Sequence, residues 1–307
     1  MGMDNLDTIQ DLSIEAERKL ARTFMGRIEW EMILIGLGQF SVWLTTWFLV
    51  IQGLIPLWLG SVVVIVSTCC AYLPSHAGQH GHLSGGRKNL KWLDSLVGHI
   101  TLIPLAQSHE ILKATHLKHH AHTNDPERDP DYFHTHVNNW FECAKNINDQ
   151  YSPNGRIIGI VEKLSEEDPK FSETLEKGSA IILIYYLANI ALAIFFPLET
   201  LLLWWVPKRI ATCYLGIVFS YQPHAGLEKG RYKDTRFWTN KMPRFFNHSM
   251  QIHTMHHMYP RICHYDEPKA IEALKPYMME RGMPGAEYIP DKISWNPLTY
   301  IQGVNRG

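Results

Sequence analysis

Two uncharged stretches of bilayer length stand almost end to end near the start of this chain. Met32 to Ile51 and Leu54 to Leu73 contain no Asp, Glu, Lys or Arg, and only Gln52-Gly53 separates them. About 20 residues of helix cross a hydrocarbon core. Only a helix satisfies its own backbone groups there within one segment, so the pair reads as a hairpin that crosses and returns. Ala180 to Pro197 is a third apolar run, with Asn189 as its only strongly polar member. Leu198 to Tyr221 is the fourth, but Glu199 opens it and Pro207-Lys208-Arg209 falls near its middle. Either that helix is kinked with both cations snorkelling, or the span is assembled from shorter pieces. The expected fold is all-α and integral to the membrane, with four transmembrane helices in two hairpins.

Four crossings place the N-terminal segment, residues 74–178 and the chain from Gln222 onward on one side. Lys and Arg occur in all three segments and are absent from the Gln52-Gly53 turn, so the positive-inside rule assigns that side to the cytoplasm. Five cysteines (Cys69, Cys70, Cys143, Cys213 and Cys263) show no paired or zinc-like spacing, which fits a reduced compartment. A net charge of -1 offers no overall basic field for nucleic acid. Residues 1–31 form an N-terminal cytoplasmic segment without the apolar core of a secretory signal. Between Asn5 and Trp30, Leu6, Ile9, Leu12, Leu20 and Phe24 recur at helical spacing; this helix packs on the protein's own surface or lies in the membrane plane. Trp92, Leu93, Leu96, Val97 and Ile100 suggest an interfacial amphipathic helix, and residues 151–178 a solvated excursion. Residues 32–265 form the membrane domain, and 266–307 a C-terminal cytoplasmic tail.

Everything polar in this layout is organised around histidine. The chain has 17 histidines, eight of them in three clusters: His76 and His80; His116, His119 and His120; His253, His256 and His257. Spacings of three and four residues bring imidazoles onto one helix face. The same H-x-x-H-H pattern occurs twice, and every cluster falls on the one side where four crossings put it. An odd number of crossings after the first hairpin would separate the last cluster from the others. Eight imidazoles exceed the needs of one ion and suit two. No cysteine joins a cluster, which argues against a structural zinc, while imidazole alone leaves iron, copper, zinc and nickel open. His224 ends the fourth run as a ninth ligand or as a helix cap. Asp125, Asp129 and Asp131 are placed to orient ligand imidazoles through their second ring nitrogen, or else form a solvated acidic loop. His82, His109, His122, His134, His136 and His248 lie near the clusters in supporting roles, and His99 and His264 are structural.

At this level the motifs become recognisable. His76-Ala-Gly-Gln-His80, His116-Leu-Lys-His-His120 and His253-Thr-Met-His-His257 resemble the three histidine boxes of the membrane fatty acid desaturase and hydroxylase superfamily. The string from His116 to Asp131, Pro223-His224, Arg231 to Arg236 and Met258-Tyr259-Pro260 look most like its carotenoid ring hydroxylase and ketolase branch. One departure is Ala77, where carotenoid enzymes and many desaturases carry Asp. The resemblance covers roughly residues 35 to 265. It implies a four-helix stem under a cytoplasmic helical cap that holds a di-iron site. The eight box histidines are then ligands, and His224 fits the family's additional histidine upstream of the third box. It also implies two iron ions, O2 as co-substrate, and desaturation or hydroxylation of an unactivated C–H bond in a lipid or carotenoid. The chain has no cytochrome-type His-Pro-Gly-Gly segment, so electrons must come from a separate ferredoxin or reductase.

Two other classes compete with this oxidase reading. A zinc membrane hydrolase would pair its histidines with glutamate as in H-E-x-x-H, and no cluster does. A metal carrier would need polar residues through its spans, and the first two runs have no charge.

Overall fold

The computed structural model describes residues 11–149, 155–294 and 296–301. Every regular element among them is helical, and the only β-type pairing is an isolated bridge between Met25 and Ile262. Four helices are long and apolar enough to cross a membrane: α2 (Trp30–Ile51), α3 (Leu57–Gln79), α8 (Pro169–Phe195) and α9 (Pro197–His224). The cap comprises α1 (Ile14–Arg22), α4 (Lys91–Leu102), α5 (His109–His122), α6 (Trp140–Asp149), α7 (Arg156–Glu167), α10 (His253–Met258) and α11 (Glu267–Glu280). Short turns of helix join these elements.

The first hairpin follows from local chemistry. Gly53 adopts φ +67°, the left-handed conformation that glycine takes at low cost. Its N–H reaches Val50 O at 2.9 Å, and Leu54 N reaches Leu49 O at 2.8 Å, a Schellman closure of α2. Pro56 then caps α3. Side by side, the two helices are joined by Ser67 Oγ donating to Gln39 O at 2.7 Å. Gly36 lets α2 lie against the end of α3, since an added Cβ would stand 2.9 Å from Pro74 Cβ. Trp43, Trp47, Val64, Leu203 and Trp204 fill the space between α2, α3 and α9.

Apolar side chains also cover the outside. Leu34, Phe48, Trp58, Ile184 and Ile194 are exposed, and Ile194 keeps 72% of its surface accessible. Water penalises such a surface and hydrocarbon does not. The chain is therefore a membrane protein by the character of its spans.

Several sequence expectations change at the element boundaries. α8 spans 27 residues and begins at Pro169, well before the apolar run at Ala180. The Asp168 carboxylate caps it by accepting from Lys170 N at 3.1 Å and Phe171 N at 3.3 Å. The part of the presumed excursion that is described, from Gly155 onward, is thus largely helical: Ile160 and Leu164 of α7 bury against Phe171. Residues 151–154 lie outside the described residues. α9 is one continuous helix and not a span assembled from separate pieces. It runs from Pro197 to His224 and absorbs its irregularity in two π-helical stretches, Leu201–Trp205 and Gly216–Tyr221. Lys208 does not reach water; it donates to Tyr186 Oη at 2.6 Å and lies 4.4 Å from that ring.

The N-terminal helix resolves in favour of packing on the protein itself. Leu20, Ala21 and Phe24 join Ile252, Met255, Ile262, Ile271 and Leu274 in the main core of the cap. Glu17 is fully buried there, paired with Arg281 at 3.0 Å and accepting from Tyr259 Oη at 2.7 Å. Leu6 and Ile9 lie outside the described residues. In α4, Val97 and Thr101 face inward while Trp92 and Leu96 are exposed, giving the expected two-faced helix.

Candidate metal centre

Four segments deliver the clustered histidines to one place. α3 ends at the first box, so His76 and His80 stand one turn apart with ring centroids separated by 5.1 Å. α5 is capped by Ser108, whose Oγ accepts from Ile111 N, and carries His116, His119 and His120. α9 ends at His224. His248 and Ser249, both at positive φ, turn the chain into α10, where His253, His256 and His257 stand.

The imidazoles separate into two neighbouring groups. His76, His80, His116, His120 and His256 each bring a ring nitrogen within 4.8 Å of the others; His119, His224 and His257 do the same. His253 borders both groups, its ring 5.1 Å from that of His256 and 4.7 Å from that of His257. His120 and His257 stack at 4.3 Å and join the groups.

Nitrogen spacing in the first group carries chemical information. His120 Nε2 is 3.0 Å from His116 Nε2 and 3.0 Å from His256 Nε2, which is 3.1 Å from His80 Nε2. Neutral imidazoles cannot satisfy such a convergence by hydrogen bonding, because each ring has one proton to share. With metal–nitrogen bonds of about 2.1 Å, two ligands at right angles on one ion stand about 3.0 Å apart. In the second group His224 Nδ1 donates to Asp234 O at 2.8 Å, which leaves its Nε2 lone pair facing inward. His76 Nε2, His224 Nε2, His257 Nε2 and His253 Nδ1 are buried with no hydrogen-bond partner. Buried polar atoms ordinarily find partners, so these lone pairs fit metal ions well.

The electrostatics agree. Burial, then the neighbouring imidazoles, holds His80, His116, His120, His253, His256 and His257 well below the ordinary histidine range. They are therefore neutral at physiological pH, the form that binds metal. His119 differs. Burial, the largest single effect, opposes its charge, but the Asp129 carboxylate together with Asp131 and Asp234 outweighs it and raises His119 to about 9. Asp129 Oδ1 stands 2.8 Å from His119 Nδ1, and the same carboxylate accepts from Asn124 N and Asp131 N at 2.7 and 2.8 Å. This is the carboxylate–histidine arrangement that orients a ligand ring.

The other two aspartates bond no box histidine. Asp131 accepts from Ser220 Oγ at 2.8 Å and so ties the loop after α5 to the π stretch of α9. Asp125 pairs with Lys229 at 2.7 Å and accepts from Glu127 N, away from the imidazoles. His82 Nε2 donates to Pro260 O at 2.9 Å while its Nδ1 faces Glu29 at 3.3 Å. That buried pair joins the turn after the first box to the turn after the third. His109 bonds Ser75, His136 stacks on Tyr132, and His248 packs on Phe219. His99 pairs with Glu110 and His264 with Glu267. His134 is buried beside Asp131, and His122 closes α5.

Three groups around the site escaped the sequence reading. Glu29 is fully buried against His82 and accepts from Tyr265 N at 3.0 Å. Glu267 lies 3.7 Å from His256 Nδ1. Asp234 supplies the carbonyl that orients His224, and burial raises its carboxyl to about 6. No spacing links these residues to a histidine box: Asp234 and Glu267 come back to His224 and His256 through the irregular turns that follow those histidines, and a glutamate just before a span is unremarkable in sequence.

A cavity of about 150 Å³ opens against this centre. His116, His119 and His253 border it on one side, and Tyr72, Leu112, Ile147, Leu215 and Phe219 provide apolar wall. The arrangement therefore places a two-group imidazole cluster beside an apolar recess at the end of the spans.

A search of curated proteins returned no match to this chain. A family model for fatty acid desaturases matches residues 52–288, which contain all nine converging histidines. With the histidine boxes brought together beside the ends of two membrane-length helices, the chain belongs to the fatty acid desaturase family.

Proposed function

We propose that this protein is an O2-dependent di-iron oxidase acting on C–H bonds of a long lipid, by desaturation or hydroxylation of an acyl chain. The observation that carries this reading is the 3.0–3.1 Å convergence of four Nε2 atoms beside a second imidazole group, both next to an apolar cavity. His76, His80, His116, His120 and His256 would hold one iron and His119, His224 and His257 a second, with His253 bordering both groups, and the bound irons would supply O2 activation and hydrogen abstraction.

The chain's own residues set the conditions for that chemistry. Tyr72, Leu112, Leu215 and Phe219 would seat an apolar chain and exclude water from it. Asp129 holds the His119 ring, and the Asp234 carbonyl holds the His224 ring, so their Nε2 atoms stay aimed inward. The Asp131–Ser220 bond ties the box-two loop to the cavity wall. In this reading the cap faces the cytoplasm, and two electrons per turnover come from a separate ferredoxin or reductase.

A carotenoid ring is the second substrate class. It is favoured by the acidic string from His116 to Asp131, whose last residue lines the cavity. Protein purified in detergent should carry about two irons per chain. Acyl-chain and pigment profiles of cells with and without the protein then identify the substrate. One zinc per chain under iron-replete expression would refute the oxidase reading.

A further inference from the structure

A basic groove of about 550 Å³ lies on the cap, outside the histidine cluster and its apolar cavity. Arg18 and Arg22 of α1, Arg231, and Arg261 line it, and its lining includes no acidic side chain. All four arginines are exposed, and none forms an ion pair among the described residues. Elsewhere on the cap Arg27 and Arg281 both have carboxylate partners. In a chain of net charge -1, four unpaired guanidinium groups in one recess form a concentrated local field.

The groove is also coupled to the metal centre. Its floor is Met258-Tyr259-Pro260, the segment directly after His257. Arg231 Nη2 donates to Met258 O at 2.7 Å, and its guanidinium lies 4.8 Å from the Tyr259 ring. A hydrogen bond and one residue of backbone thus connect a groove arginine to a candidate iron ligand.

We propose that this groove is the docking surface for an acidic, soluble electron-carrier protein. The inference rests on the oxidase reading above and locates where its electrons arrive. Desaturation converts –CH2–CH2–, O2, two electrons and two protons into –CH=CH– and two waters. Hydroxylation converts C–H with the same O2, electrons and protons into C–OH and one water. Two one-electron carriers dock in succession and each leaves oxidised by one electron. Lipid headgroups are the poorer occupant. A helix that lies on a membrane puts its apolar face into the lipid, but α1 packs Leu20, Ala21 and Phe24 into the cap core. Met258 and Tyr259, the apolar floor, are themselves buried.

The test uses the full-length, iron-loaded protein in phosphatidylcholine nanodiscs. An acidic [2Fe–2S] ferredoxin and an acidic soluble cytochrome b5 domain serve as carriers, and reduced methyl viologen as a small cationic reductant. In the Arg18→Glu, Arg22→Glu, Arg261→Glu variant, the carrier concentration for half-maximal iron reduction should rise at least tenfold and its salt dependence should weaken. Iron content and the viologen rate should stay at wild-type values. Arg22→Gln, the milder change, should raise the half-saturating concentration two- to threefold. Unchanged half-saturation in the triple variant overturns the proposal. So does wild-type protein that viologen reduces and neither carrier does. An effect seen only in phosphatidylserine discs, and equally with viologen, assigns the arginines to headgroups. Wild-type protein without reducible iron removes the oxidase reading itself, and the groove's role with it.

Discussion

Replacing Asp129 with Asn tests whether the centre depends on the charge and geometry behind its ligands. Asp129 is fully buried and accepts three N–H groups, from His119 Nδ1, Asn124 N and Asp131 N. An amide keeps one acceptor oxygen and turns an NH2 toward one of these donors. Leaving such a buried donor unmatched costs about 1–3 kcal/mol. The lost charge adds to this. Moving His119 from an ordinary 6.5 to about 9 corresponds to roughly 3 kcal/mol favouring positive charge at that ring. A metal at Nε2 feels part of the same field, so affinity at the His119, His224 and His257 group should fall about 10–100-fold. The other group has no contact with Asp129 and should keep its ion. The assay is iron per chain, measured after equilibration of Asp129→Asn and wild type with graded chelator. The variant should pass through about one iron per chain at chelator levels where wild type holds two. Loss of both irons together, or wild-type retention of both, would refute the reasoning.

Three further outcomes follow from the same structure. His224→Ala should lower iron toward one per chain with a steep loss of activity, while His82→Ala and His248→Ala, which alter packing and the Glu29 and Pro260 contacts, should leave two irons bound. In a topology assay, Gln52→Cys should react with an impermeant thiol reagent from outside the cell and Asp149→Cys should not; the reverse pattern would discard the cytoplasmic orientation. His109 is held by burial down at about 4, so its unfolded form binds more protons between about pH 4 and 6.5. Stability should therefore fall as pH drops through that window, and the thermal-midpoint loss between pH 7 and pH 5 should be smaller in His109→Asn than in wild type.

The spans and the boxes were legible in the sequence because each is a local pattern. A bilayer demands an unbroken apolar length, and a helix puts residues three and four apart on one face; neither needs knowledge of distant residues. Gln52-Gly53 marked the hairpin for the same reason, since glycine takes positive φ readily. His224 was ambiguous alone, because a single histidine after a proline has the same local signature as a cap. Only the fold turned its Nδ1 to Asp234 O and its Nε2 to His119 and His257. The division of nine imidazoles into two groups was likewise invisible: His119 and His120 are neighbours in sequence but face different groups, because successive helical positions diverge by about 100°. Asp125 and Asp129 looked equivalent in one acidic loop, yet one pairs with Lys229 at the surface and the other is buried behind His119. The course of α9 past Pro207 depended on two π-helical stretches and on Tyr186 of another span receiving Lys208. Local periodicity marked which side chains could gather at one site; packing between elements decided which of them meet, because burial, charge and lone-pair direction are set by neighbours the local pattern does not encode.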